Sequence, residues 1–361
     1  MLRIRFKQLY RTLLLAAAGL LAIGCDRTHD IQVPRQITGE THPQKPAPVP
    51  EETNEQQSDQ LNISFLNVAP GNCIIMTTPA GKHILIDAGP AGSAQDIQTH
   101  LEDLHITKLD YVIVTSPTEE HAGCLPSLIN GMSTGQVLTS GVDSPVQAKI
   151  REAAASSGAK LSTLRSGSLF AFDDQVSISV IAPAEQFTRP PAPDANWYDN
   201  HSLVFKLHFG KVDLLFTGDA GRDERQWMYD NAVNLHAALV SGLHHGDSAV
   251  GDLDFIHRIT PSMAFIMCQP RNRQHYPHRE TLDAFQACMV RFFRTDLQGT
   301  IDIHVQREGG ISVLPARAAT EHDMSLPGSE YNGSGDPDPI QLNNPVDQGN
   351  GVKNPGSDLL H

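Results

Sequence analysis

Residues 111–125 read YVIVTSPTEEHAGCL. Tyr111-Val112-Ile113-Val114 is an unbroken apolar run, the mark of a strand buried on both faces. It stops at Thr115-Ser116-Pro117, and the chain then presents Thr118, Glu119, Glu120 and His121 in succession. A central strand that ends this way sets carboxylates and an imidazole at the edge of a sheet. Other strand ends repeat the pattern. Asp87 closes LIDAG (85–89), and Thr217-Gly218-Asp219 follows LLF (214–216). His244-His245-Gly246 follows a strand expected near Val240. Asn272-Arg273 and His275-Tyr276-Pro277-His278 follow one expected to end at Met267. Ligands of α/β layers gather at the carboxyl ends of strands. Carboxylate plus imidazole without thiolate suits a borderline divalent ion such as zinc, manganese or iron.

Outward from that stretch, alternating and β-branched runs predict strands at 61–68, 73–77, 83–86, 176–181, 203–209, 212–216, 235–240, 263–267 and 301–305. Pro70-Gly71-Asn72, Pro79-Ala80-Gly81 and Gly210-Lys211 mark turns between several of them. Helices are predicted at 94–105 and 145–157. The order is strands first, then mixed strand and helix, in two hairpin-rich halves. That pattern predicts an α/β fold layered as a sandwich rather than a doubly wound sheet.

The blocks FLNVAPGNCIIMTTPAGKHILIDAG, YVIVTSPTEEHAGCL, NHSLVFKLHFGKVDLLFTGDAG, LHHGD, NRQHYPH and TDLQGTIDIHV together resemble the metallo-β-lactamase superfamily. Within it they are similar to the soluble hydrolase-like domain of the ComEC competence proteins. The resemblance spans nearly all of residues 61–316 and implies an α/β fold of four layers, an αββα sandwich with a metal cleft at one edge. Its departures are specific. Where the family carries HxHxDH, this chain has Ser116, Thr118, Glu120 and His121. The two histidines implied to hold a first metal are absent, and hydroxyls are weak zinc ligands. A second-metal set remains in Glu120, His121, Asp219 and one of His244 or His245, with Glu119 as a further carboxylate and His201 near the family's third motif. His275-Tyr276-Pro277 stands where ComEC domains show Gly-His-Pro, with His278 nearby. Asp87 is implied to brace the second-motif loop.

Two functions follow. In one, the metal site has decayed, no ion is needed, and the domain is a non-catalytic binding or scaffold module. In the other, a single divalent ion, zinc or manganese, sits on Glu120, His121, Asp219 and His244 or His245, and the domain is a hydrolase of phosphodiesters or other anionic esters. Asp219 would then be the catalytic residue, and Arg271, Asn272, Arg273 and His278 would hold the substrate. Plainer readings stand beside these. Asp219 can cap a helix over 221–231. Arg271, Arg273, Arg279, Arg291 and Arg294 can form a solvated helix face. Cys73, Cys124, Cys268 and Cys288 can be buried thiols, or Cys268 and Cys288 can pair.

The flanks differ in character. Residues 1–25 carry Arg3, Arg5, Lys7 and Arg11 before an apolar stretch and end in Ala22-Ile23-Gly24-Cys25. They read as a lipoprotein-type signal peptide, with Cys25 as the lipidated residue. Residues 26–60 read as a flexible tether, and 317–361 as a disordered acidic tail. The partners expected are therefore a membrane, through the lipid anchor, and a protein at its surface. Nucleic acid enters only through the ComEC resemblance. The location expected is the bacterial cell envelope, facing the periplasm or exterior. Of 361 residues, 27 are basic and 41 acidic, for a net charge of −14. The acidic balance excludes a general nucleic-acid coat. Five cysteines are too few for a disulfide scaffold in a chain of this length.

Overall fold

Alternation decides which faces the first strands bury. In β1 (Gln60–Phe65), Leu61, Ile63 and Phe65 point inward, and the residues between them are half-exposed. The computed structural model describes residues 59–68, 71–184 and 190–330. Cys25, residues 1–58 and residues 331–361 lie outside them. In chain order the further strands are β2 (Cys73–Thr77), β3 (His83–Ala88), β4 (Lys108–Val114), β5 (Ser133–Thr139), β6 (Lys160–Thr163), β7 (Leu169–Ala171) and β8 (Val176–Ala182). The second half supplies β9 (Val204–Phe209), β10 (Val212–Phe216), β11 (Leu239–Ser241), β12 (Met263–Ile266), β13 (Arg291–Arg294), β14 (Ile301–Gln306) and β15 (Ile311–Pro315).

They form two sheets. One runs β15-β14-β1-β2-β3-β4-β5-β6, the other β13-β12-β11-β10-β9-β8-β7. Each is antiparallel through its hairpins and parallel where helices cross over. The parallel portions are β3-β4-β5-β6 and β10-β11-β12-β13. Ile63, Phe65, Ile74, Ile86 and Ile113 of the first sheet pack against Phe205, Leu207, Leu214, Phe216 and Phe265 of the second. Phe65 stacks on Phe265 with ring centroids 4.5 Å apart, and Phe265 lies 5.4 Å from Phe293. Such pairs add about 0.5–1.5 kcal/mol beyond the area they bury.

The opposite faces are covered by helices. Ile75, Leu85, Val112 and Val137 meet Ile97, Leu101, Leu125 and Ile150. Leu215, Val240, Ala264 and Ile266 meet Phe255, Ile256, Leu282 and Phe285. Two sheets face to face with helices outside are the four-layer αββα sandwich.

The sequence reading needs correction at several points. β5, β6, β7, β13 and β15 carry too little apolar alternation to be read as strands. Residues 235–240 form a strand only at Leu239–Ser241, although Leu235 and Ala237 are buried. The fold also continues past Ala316. Thr320 caps the helix Glu321–Ser325 in a reciprocal capping box with Asp323. Gly328 N–H donates to Pro277 O at 2.9 Å, and Arg279 pairs with Glu330. Residues 317–330 thus belong to the domain rather than to a disordered tail.

Candidate metal centre

The parallel portions of the two sheets point their carboxyl ends to one edge. β3 ends at Asp87, and the loop after β4 leads to His121. The turn after β10 carries Asp219, and the turn after β11 carries His244 and His245. The backbone here is strained. Asp87, Leu243, His244 and His245 all have φ between 47° and 57°. Left-handed backbone at non-glycine residues costs on the order of 1–3 kcal/mol each and clusters at functional sites. Gly242 opens the strained run at φ 104°, where a Cβ would stand 2.8 Å from Gly218 N. Only glycine fits there.

His121 is fully buried between two carboxylates. Its Nδ1 lies 2.8 Å from Asp87 Oδ2 and its Nε2 2.7 Å from Asp219 Oδ2. Asp87 also accepts from Thr115 N–H at 2.7 Å and from the Thr115 hydroxyl. It therefore fixes both the loop and the His121 ring. His245 Nδ1 donates to Met267 O at 2.6 Å, and its Nε2 lies 3.5 Å from Asp219 Oδ1. His244 Nε2 lies 3.9 Å from Asp219 Oδ2. One ligand atom each from His121, Asp219 and His245 falls within a mutual 4.8 Å, as does one each from Asp199, Asp219 and His244.

These contacts set the ring chemistry. Met267 O and Asp87 can only accept, so the Nδ1 atoms of His245 and His121 carry protons. Both Nε2 atoms are thereby turned toward Asp219, the orientation that a metal-bound imidazole needs, although His121 Nε2, held 2.7 Å from the Asp219 carboxylate, carries a proton that a bound ion would displace. Asp219 Oδ1 is buried and has no hydrogen-bond partner. Two imidazole nitrogens, a buried carboxylate and an orphaned oxygen fit a borderline divalent ion.

Charge is concentrated here. Burial works against both ions, but Asp219 and Asp87 hold the His121 imidazole well above its ordinary value. His121, His244 and His245 hold the Asp219 carboxyl well below the usual range despite its burial. Burial opposes the charging of His245 too, yet Asp219 raises it. Asp199 is pushed up to about 7, first by burial and then by the charge of Asp219.

The site differs from the ligand set read in the sequence. Glu119 and Glu120 are exposed and belong to neither ligand group. Helix geometry explains this: Glu119–Ala122 is a short helix that buries His121 and turns both glutamates outward. Asp219 caps no helix, because Gly221 is the cap of the helix Arg222–Asp230.

Asn272 is buried within its own loop. It donates to Gln269 O and Tyr276 O and accepts from Tyr276 N–H. His278 accepts from Ser248 N–H at 3.0 Å. Both make hydrogen bonds that hold the loop, and Arg271 and Arg273 are exposed on it. The arginine cluster is dispersed. Arg291 and Arg294 lie on β13, and Arg294 is fully buried in a two-pronged pair with Asp296. His201 Nδ1 bonds Trp197 O at 2.7 Å. The four cysteines of the described residues are free thiols.

Two residues were not legible as site components. Asp199 ends the short helix Ala195–Asp199, in a stretch without apolar periodicity. Tyr276, where the resemblance places a histidine, stacks on His245 with centroids 5.9 Å apart and donates to Asp247 Oδ2 at 3.2 Å. Burial and Asp247 push its phenol up, so it remains a donor.

Known proteins resemble this chain over part of its length. The chain is 29% identical over 213 residues to ComE operon protein 3 of Bacillus subtilis (strain 168), covering 58% of this chain and 26% of that protein. It is 22% identical over 268 residues to competence protein ComA of Neisseria gonorrhoeae, covering 73% and 34%. It thus spans about a quarter to a third of these relatives. Among solved structures, a long form RNase Z from yeast aligns over 73% of this chain and 51% of that one, with 10% identity and a TM-score of 0.47. The model of the metallo-beta-lactamase superfamily matches residues 66–288, and this chain belongs to that superfamily.

Proposed function

We propose that the domain is a metal-dependent hydrolase with a single-ion centre on His121, Asp219 and His245. Asp199 and His244 lie close enough to complete the coordination. The observation that carries this reading is the setting of the two rings. The Nδ1 atoms of His121 and His245 are committed to Asp87 and Met267 O, and both Nε2 atoms face one buried carboxylate with an unpartnered oxygen. Bound there, a divalent ion would supply Lewis acidity and an activated water. The chain contributes orientation. Asp87 holds His121, the left-handed turn holds His244 and His245, and Tyr276 offers a phenolic donor beside His245. The substrate class is an anionic ester, a phosphodiester foremost, with Arg271 and Arg273 exposed on the loop that carries Tyr276. Around this domain, the N-terminal segment reads as a lipid anchor through Cys25, placing the protein at a bacterial envelope membrane.

The test is elemental analysis of the purified protein after dialysis against zinc or manganese, followed by an assay on bis(p-nitrophenyl) phosphate. About one ion per chain is expected, lost with His121→Ala, together with hydrolysis that requires it. No bound ion under any condition would overturn the reading.

A second reading rests on a different observation. Ser116 Oγ is buried without a partner where the resemblance places a nitrogen ligand. With no second metal there is no clamp on both attacking and leaving oxygens. A protein that binds one ion and hydrolyses nothing would be the binding or scaffold module. Release from membranes on Cys25→Ser tests the anchor.

A further inference from the structure

Alternation along β8, β9 and β10 turns Ile178, Leu207, Phe209 and Leu214 into the core between the sheets. The residues between them face the other way. There, at the end of β10 remote from Asp219, Ser179, His208 and Asp213 meet on three neighbouring strands. Ser179 Oγ lies 2.8 Å from His208 Nε2, and His208 Nδ1 lies 2.8 Å from Asp213 Oδ1. The side chains of His208 and Asp213 are each 40% exposed, so solvent and solutes reach the array.

The chemistry of the three groups sets their roles. The Asp213 carboxylate only accepts, so His208 Nδ1 carries a proton. Nε2 is then the acceptor, and the Ser179 hydroxyl donates to it. A hydroxyl bonded to an imidazole whose other nitrogen is held by a carboxylate is the constellation that activates a nucleophile, and it is defined by geometry rather than by fold. Asp213 stands directly opposite His208 in the β9–β10 register, and Ser179 stands diagonal to it across β8 and β9. Paired strands, not a loop, therefore fix the distances.

Pairing also sets the two neighbours of Ser179. Its register partner on β9 is Lys206, and its register partner on β7 is Leu169. Register partners share a face of the sheet. The hydroxyl thus stands between a residue of positive charge and an apolar side chain that is 80% exposed. Lys206 offsets negative charge that develops on a carbonyl oxygen at Ser179. Leu169 offers apolar surface to an acyl chain.

We propose that Ser179 is the nucleophile of a second, metal-independent site, whose substrate class is an ester of an apolar carboxylic acid. Ser179 Oγ attacks the ester carbonyl carbon while its proton passes to His208 Nε2. The bond from that carbon to the alcohol oxygen breaks, the leaving oxygen takes the proton from His208, and the acyl group stays on Ser179. Water then attacks the acyl carbon, giving a proton to His208. The acid leaves, and Ser179 Oγ recovers its proton. Asp213 is a positioning residue that keeps Nε2 free to accept.

The test treats the full-length protein, after EDTA, with a fluorophosphonate probe and locates the adduct by peptide mass spectrometry. Turnover of p-nitrophenyl butyrate is followed on the same sample. EDTA removes any contribution of the metal centre, so the two sites succeed or fail separately. One adduct on Ser179 is expected, absent in Ser179→Ala. His208→Gln should slow both labelling and turnover by about a hundredfold. Asp213→Asn should slow them as well, and Asp213→Glu should restore them, which a merely structural aspartate would not require. No adduct, an adduct on Ser177 (the residue opposite His208 on β8), or undiminished labelling of His208→Gln would overturn the proposal. Should a variant fail to fold, the position of the adduct on the unaltered protein decides.

Discussion

The two sides of the site hold their side chains in opposite ways. On one, His121, Asp219 and His245 are buried and oriented. Each ring is locked by a partner, Asp87 or Met267 O, and strained backbone holds the turn. On the other, Ser116 is fully buried with an idle hydroxyl, and Thr118 is half-exposed. Strain and orientation are thus confined to one side of the site.

The comparison can be broken most directly at Asp219. Asp219→Ala should abolish metal binding and leave three imidazoles without their shared anion. Breaking a buried charge pair costs about 3–5 kcal/mol, so urea denaturation of the metal-free protein should show a loss of that order. Retained metal would mean that the oriented side is not the ligand set.

Next in size is an attempt to rebuild the other side. Ser116→His should fail to recruit a second ion. The site has no exposed surface, and overpacking a filled interior costs about 1–3 kcal/mol. A second ion by elemental analysis, without loss of stability, would show that side to be open rather than closed.

Glu224 sharpens the contrast through pH. Burial raises its carboxyl well above the ordinary glutamate value. The folded state therefore holds a proton that the unfolded state has released. That contribution to stability is complete below about pH 4.5 and is lost as pH rises toward the folded pKa, by up to about 1.4 kcal/mol per unit. Glu224→Gln does not titrate, so its melting temperature should gain on the parent between pH 5 and pH 8. A gap that stays constant or narrows would contradict this.

The smallest effect is expected at Tyr276→Phe. It removes one hydrogen bond, to Asp247, at a cost of about 1 kcal/mol. Metal content should be unchanged, because the phenol is no ligand.

The sheet edge was legible because strand and chemistry coincide in the sequence. LIDAG, YVIVTSPTEEHAG and LLFTGD each end an apolar run in a polar group, and pleat geometry carries those groups to one side. Asp199 was not, because its helix is five residues long and buries none of them, so no periodicity announces it. Glu120 was misplaced for a related reason. A spacing inherited from a family says which residue is equivalent, and a single helical turn decides which way it faces. Arg294 was taken for a solvated charge, although Arg294-Thr295-Asp296 already holds its partner two residues away. Burial at a strand end cannot be read from composition.

Arg294 has a further consequence for how the chain is completed. Its remaining guanidinium nitrogen donates to the carbonyls of Met324 and Leu326, thirty residues and more downstream. While the protein is being made, the interior charge beneath β13 lacks those partners until the stretch after Leu326 has left the ribosome. A nascent chain ending near Ala316 holds every described strand and the residues of the candidate metal site, and Arg294 there keeps Asp296 but lacks both carbonyls. The last turn of the domain to be synthesised thus acts as a latch, and arrested or clipped chains should be recognisable by a protease-sensitive β13.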